Sequence, residues 1–138
     1  VNVELDLTKA PGCGALKAVK SAPDAPAEVT FHVRGNFLGS SLTPLREDRT
    51  RPVSVPVLRY GDQCRDFPHD AIMMDIEGGE LDFLRHADLT GVKVLVAEYH
   101  KGIYGREGLR ECRQILARKG FRLVEEHSTP AVWAMVRA

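Results

Sequence analysis

The chain has 138 residues, 43% of them hydrophobic, and its nineteen basic residues balance nineteen acidic ones for no net charge at neutral pH. That length and apolar content suit one compact domain over 1–138 with a single core. Balanced charge gives no field to draw in nucleic acid or an anionic membrane surface, and no apolar run approaches the ~20 residues of a membrane span.

Cys13, Cys64 and Cys112 are odd in number and far apart. They fit neither a disulfide framework nor a paired metal site, and read as small buried apolar residues in a reducing, cytoplasmic setting. The N-terminus lacks the basic-then-apolar pattern of a signal peptide.

In chain order, Val1 to Leu7 alternates as a strand should, and Pro11-Gly-Cys-Gly14 breaks it. Val29 to Val33 and Val53 to Val57 read as further strands, with Pro56 confining the second to an edge or a short segment. Between them Gly35 to Thr50 reads as a polar loop. The texture changes near Phe67-Pro68-His69-Asp70, dividing an irregular β-rich part, 1–68, from an α/β part, 69–138.

The second part is cleaner. Ala71 to Asp75 is a short apolar run ending in an acid, as a buried parallel strand opening into a site would be. Glu80 to Ala87 has helical spacing, and Val92 to Glu98 is a second strand ending in an acid. Leu109 to Lys119 places Leu109, Cys112, Ile115 and Leu116 on one helical face, and Gly120 stops it. Phe121 to Val124 and Ala131 to Val136 close the chain as a hairpin turning around Ser128-Thr-Pro130. The order predicts an α/β sheet, mostly parallel, with a C-terminal antiparallel hairpin.

In open parallel sheets ligands sit at the carboxyl ends of strands, where Asp75 and Glu98 fall on what should be neighbouring strands. Two carboxylates so placed repel unless a cation, a shared proton or a donor-rich ligand lies between them. The pair is a candidate site for a divalent metal such as magnesium, or for a substrate hydroxyl. In Asp75-Ile-Glu-Gly-Gly-Glu80, Gly78 and Gly79 allow a tight turn, and Glu77 and Glu80 can support the start of the next helix. Without a resemblance, the segment reads equally as an ordinary strand-to-helix turn.

Met74-Asp-Ile-Glu-Gly-Gly-Glu-Leu-Asp-Phe-Leu84, then Val94-Leu-Val-Ala-Glu-Tyr-His100 and Gly120-Phe-Arg-Leu-Val124, resembles the FkbM-type S-adenosylmethionine-dependent methyltransferase family, whose hallmark is Asp-x-Glu-Gly-x-Glu. Val29 to Val33, Ser40-Ser-Leu42 and Val53 to Val57 resemble the family's upstream segments more loosely. The resemblance implies a partial methyltransferase-type, Rossmann-like sheet and methyl transfer from S-adenosylmethionine to a hydroxyl of a small molecule or sugar. It assigns Asp75, Glu77 and Ser41 to the methyl donor, and Asp75, Glu98 and His100 to catalysis, with Glu98 or His100 taking the hydroxyl proton.

The sequence departs from the family pattern at its start, where a glycine loop and a strand ending in an acid for the ribose are expected. Pro11 to Gly14 is the one glycine-bearing segment there, and Pro23-Asp-Ala-Pro26 interrupts any helix after it. The expectation is a domain truncated or divergent at its N-terminus, with Val1 to Thr8 the remnant of a third strand. The competing expectation is a non-catalytic remnant serving as an interaction module. Losing the front strands should leave one side of the central strands bare, so a homo-oligomer is expected. A receiver-domain reading of Met73-Met-Asp75 fails because Glu98 stands where that family needs a lysine.

Overall fold

The computed structural model describes residues 2–6, 15–20, 22, 24–34 and 50–137. Pro11 to Gly14, Ser40, Ser41 and Leu42, and most of the loop expected over Gly35 to Thr50, lie outside the described residues.

Four strands, β1 (Asn2–Asp6), β2 (Ala15–Lys20), β3 (Glu28–Arg34) and β4 (Thr50–Arg59), form a first sheet in the order β1-β2-β4-β3. β1 and β2 are antiparallel, as are β3 and β4, which pair from Glu28 opposite Pro56 to Arg34 opposite Thr50. β2 joins β4 in parallel over Val57 to Arg59 alone. The prolines explain this short ladder. The Val57 N–H donates to Ala27 O at 2.8 Å, so backbone alternation turns the nitrogens of Pro56 and Pro52 toward the opposite edge, where they have no hydrogen to give. Pro56 therefore does not confine its strand to a short segment; β4 runs ten residues and the proline limits its second partner instead. Phe31 and Val55 are buried between them, flanked by half-buried Val29, Val33, Val53 and Val57.

The chain leaves β4 through α1 (Tyr60–Asp66), then alternates β5 (Ala71–Met74), α2 (Glu80–His86), β6 (Val94–Glu98), α3 (Lys101–Arg118), β7 (Phe121–Leu123) and β8 (Val132–Arg137). α1 is absent from the sequence expectation, and α3 starts earlier than expected, with a break at Gly105 (φ 69°, ψ −172°) separating its opening turn from the main helix. The second sheet has the order β5-β6-β8-β7. β5 and β6 are parallel, joined by the α2 crossover, whereas β8 lies antiparallel to both β6 and β7.

The protein is thus α/β with the expected terminal hairpin, but its sheets are mixed. The mostly parallel expectation holds at β5–β6 and β2–β4; the pairs β1–β2, β3–β4 and β7–β8, and β8 beside β6, run antiparallel.

Strand alternation sends Ile72, Met74, Leu95, Ala97, Trp133 and Met135 to one face, packed in one core with Leu81, Phe83 and Leu84 of α2 and Cys112, Ile115 and Leu116 of α3. Leu84, Leu95 and Leu116 are fully buried, each stabilising the fold by ~1.5–3 kcal/mol. The opposite face stays open: Met73 is 85% exposed and Val94 39%, with Val96, Ala134 and Val136 only half-buried.

At the amino end of this sheet Arg137 acts as a clamp. Its guanidinium donates to the carbonyls of Val92 (2.8 Å), Lys119 (2.7 Å) and Leu89 and lies 4.6 Å over the Phe121 ring. Lys119 Nζ donates to Ala87 O at 2.7 Å. Asp70 and Lys93, just before β5 and β6, form an exposed ion pair at 2.9 Å.

Candidate functional site

Parallel pairing of Met74 with Ala97 carries the next residues, Asp75 and Glu98, out of the same edge of the sheet side by side, as the sequence leads one to expect. Two residues after Glu98 the chain turns into α3, with His100 at its N-cap position. Asp75, Glu98 and His100 come together: one ligand atom from each lies within 4.8 Å of the others. His100 Nε2 is 3.8 Å from Asp75 Oδ1 and 3.3 Å from Glu77 Oε2. Four residues expected from sequence to serve the site, Asp75, Glu77, Glu98 and His100, therefore share one mouth, whereas Ser41 lies outside the described residues.

The turn between β5 and α2 brings Glu77 there. Gly79 N–H donates to Ile76 O at 3.2 Å, and the two residues between have positive φ, 49° at Glu77 and 101° at Gly78. Both central residues are thus left-handed, a demand a glycine meets freely and a glutamate meets at a cost. A Cβ on Gly78 would stand 2.7 Å from Ile103 Cγ1 on α3, so space as well as φ requires glycine.

Glu80 was expected to support the start of the helix. It is fully buried. Its Oε1 accepts from Gly78 N–H and pairs with His100 Nδ1, each at 3.0 Å. Its Oε2 is buried with no well-formed hydrogen bond. The signal for this inward turn was in the sequence: Glu80 lies three and four residues before Phe83 and Leu84, the same helix face that faces the core.

Beside it the Tyr104 phenol is held protonated far above its usual range, first by burial and then by the neighbouring Glu80 charge. Tyr99, buried and stacked on Trp133 with centroids 3.9 Å apart, is raised likewise, chiefly by burial. Among the described residues no lysine or arginine pairs with Asp75, Glu77, Glu80 or Glu98, so His100 alone answers their charge.

A cleft of about 450 Å³ lies elsewhere, lined by Tyr60, Cys64, His69, His86 and Asp88 among others, at the amino ends of β5 and β6. It holds a Tyr60–His69 hydrogen bond of 2.9 Å but, among the described residues, no gathering of metal-ligating atoms. The charged cluster and this cleft thus occupy opposite ends of the sheet, and the charge arrangement makes the carboxyl end the functional candidate. Cys112, under the sheet, has its thiol pushed up to about 12 by burial and nearby carboxylates, which agrees with a structural cysteine; Cys64 is half-buried and free. No helix of the described residues is long and apolar enough to cross a membrane.

Comparison with curated proteins and with solved structures gives no match. The family model described as the methyltransferase FkbM domain matches residues 9–123, a span that includes the β5–α2 turn, Glu98 and His100. By that match over most of its length, the chain belongs to the FkbM methyltransferase domain family.

Proposed function

We propose that the chain is an S-adenosylmethionine-dependent O-methyltransferase domain acting on a hydroxyl of a small molecule or sugar. The observation that supports this reading is the convergence of His100 Nε2 with Asp75 and Glu77 at the carboxyl end of two parallel strands. We read the second sheet as the back half of a methyltransferase-type, Rossmann-like sheet, with β5 and β6 as its parallel strands and β7–β8 as its terminal hairpin. When bound, the cofactor supplies an electrophilic methyl group on a positively charged sulfur. The exposed carboxylates fit such a cofactor, since they accept from hydroxyls and face cations favourably.

Asp75 and Glu77 orient the donor, and Ser41 belongs to the same reading. His100 takes the acceptor's hydroxyl proton onto Nε2 as the oxygen attacks the methyl carbon. The imidazolium so formed lies between Glu80 on one side and Glu77 and Asp75 on the other, which stabilises the charge that proton transfer creates.

A metal-assisted variant has its own support, because Asp75, Glu98 and His100 present mixed oxygen and nitrogen ligands at suitable spacing. A divalent ion such as magnesium would then be held by these three residues. The alternative of a non-catalytic interaction module draws on the open apolar face at Met73, Val94 and Val96. Self-association through that face is our proposal for the homo-oligomer, since zero net charge offers no repulsion against it.

Calorimetric titration with S-adenosylmethionine, with and without magnesium, tests the reading. With contacts worth ~1–3 kcal/mol each and few of them at these strand ends, binding weaker than micromolar is expected, and lost in Asp75→Asn. No heat at millimolar cofactor, with or without metal, would sink the catalytic reading and leave the interaction module.

A further inference from the structure

We infer that Glu80 is the positioning residue for His100: it fixes the imidazole with its proton on Nδ1, so that Nε2 is the nitrogen that exchanges a proton, or binds a metal, at the mouth of the site. This rests on the reading above for its role in catalysis, but not for its geometry.

The geometry itself assigns donor and acceptor. Glu80 Oε1 accepts from the Gly78 backbone N–H, which can only donate. As a carboxylate Glu80 can only accept, so the Oε1 that takes the Gly78 hydrogen and meets His100 Nδ1 at 3.0 Å takes a hydrogen from Nδ1 as well. The bond is sheltered, because Glu80 is 0% exposed and the His100 side chain 20%, and water cannot readily replace it. Three elements enforce it: the left-handed turn at Gly78, the first turn of α2, and the chain after β6.

Nε2 then points to the open side, toward Glu77 and Asp75. A histidine whose far nitrogen is tied to a carboxylate has its ring plane and tautomer set before any ligand arrives. Free imidazole would have to select both. Glu80 touches no solvent and so acts through His100, not on substrate.

The tautomer can be read directly from imidazole ¹⁵N chemical shifts and ¹H–¹⁵N couplings of ¹⁵N-histidine-labelled protein, with His100 assigned by its absence in His100→Gln. In the wild-type chain, at a pH where the ring is neutral, His100 should show a protonated Nδ1 and a bare Nε2. Glu80→Gln, which keeps an accepting oxygen, should retain that pattern, and Glu80→Leu should lose it for a mixture rich in protonated Nε2. A neutral wild-type ring protonated on Nε2 overturns the inference, as does a folded Glu80→Leu that keeps a fully protonated Nδ1. Should Glu80→Leu fail to fold, the wild-type spectrum decides alone. No cofactor enters the measurement, so a chain that binds no S-adenosylmethionine yet shows the Nδ1 proton separates the failure of the catalytic reading from that of this one.

Discussion

The two ends of the second sheet are built from the same strands and differ in what they do with charge. At the amino end every strong group is answered: Arg137 is spent on three carbonyls, Lys119 on a fourth, and Lys93 on Asp70. At the carboxyl end Asp75, Glu77, Glu80 and Glu98 crowd around one histidine. The first end closes the fold. The second keeps charge unneutralised at the opening, a cost to stability that a binding site tolerates and a structural end does not.

The largest expected effect is at the amino end. Arg137→Ala strands the carbonyls of Val92 and Lys119 and takes one of two donors from that of Leu89, which keeps the Val92 N–H, and should cost about 2–5 kcal/mol in urea unfolding at ~1–3 kcal/mol per group, tempered by water entry. The comparison breaks if this variant, where folded, also changes the His100 spectrum.

Gly78→Ala comes next, with a left-handed φ and a 2.7 Å approach to Ile103 Cγ1. A loss of about 1–3 kcal/mol is expected. Unlike Arg137→Ala it should also disturb the Glu80–His100 contact.

Glu98→Gln should have the opposite sign. The Glu98 side chain has no hydrogen-bond or ion-pair partner among the described residues and stands within 4.8 Å of Asp75 and His100 atoms. Removing its charge relieves repulsion from Asp75, and a gain of roughly 0.5 kcal/mol is expected, with weakened manganese or magnesium binding as the companion result. A destabilised Glu98→Gln would show that the carboxyl end is structural after all.

The smallest effects are in pH. Asp70 is held below its usual carboxylate range, first by its hydrogen bond to Lys93 and then by that charge. Its contribution is present above the ordinary carboxylate pKa and is lost as pH falls through the lowered one. Because the pair is exposed, Lys93→Ala should move the Asp70 titration seen by NMR upward and hardly alter Tm. At the other extreme, Cys112, raised to about 12, stays protonated in the folded state while the unfolded thiol ionises near pH 9. Stability should therefore decline from about pH 9 toward 12, and Cys112 should resist thiol reagents at pH 8 until the protein unfolds.

How much of this could be read beforehand follows from how local each signal is. β5, α2, β6, the main part of α3 and the hairpin were legible because their apolar residues repeat at periods of two and 3.6. Asp75 and Glu98 were legible as strand-end acids for the same reason. α1 escaped because seven residues with Gly61 in the second position offer little periodicity, with Tyr60 buried and Cys64 half-buried as their contacts to the core. The opening turn of α3 escaped because Gly102 and Gly105 look like a loop. Sheet order is non-local: nothing in Val132 to Arg137 says that it slots between β6 and β7. Glu80 was read only as support for the helix start, because a glutamate in a first helical turn is ordinarily solvated; its spacing to Phe83 and Leu84 carried the signal for burial, but its partner His100, twenty residues on, shows in no local pattern.

Short borders have a consequence for how copies of this chain can meet. The outer strands of the second sheet, β5 and β7, span four and three residues, too few to recruit a strand from another molecule and extend the ladder. Its bare side, with Met73, Val94 and Val96, has no such limit. Assembly through the second sheet should therefore stack copies like plates, flank to flank across that apolar surface, and not lengthen that sheet into a ribbon. Such stacking is self-limiting within this sheet, because its other face is covered by α2 and α3, and a closed pair rather than a fibre is its natural end.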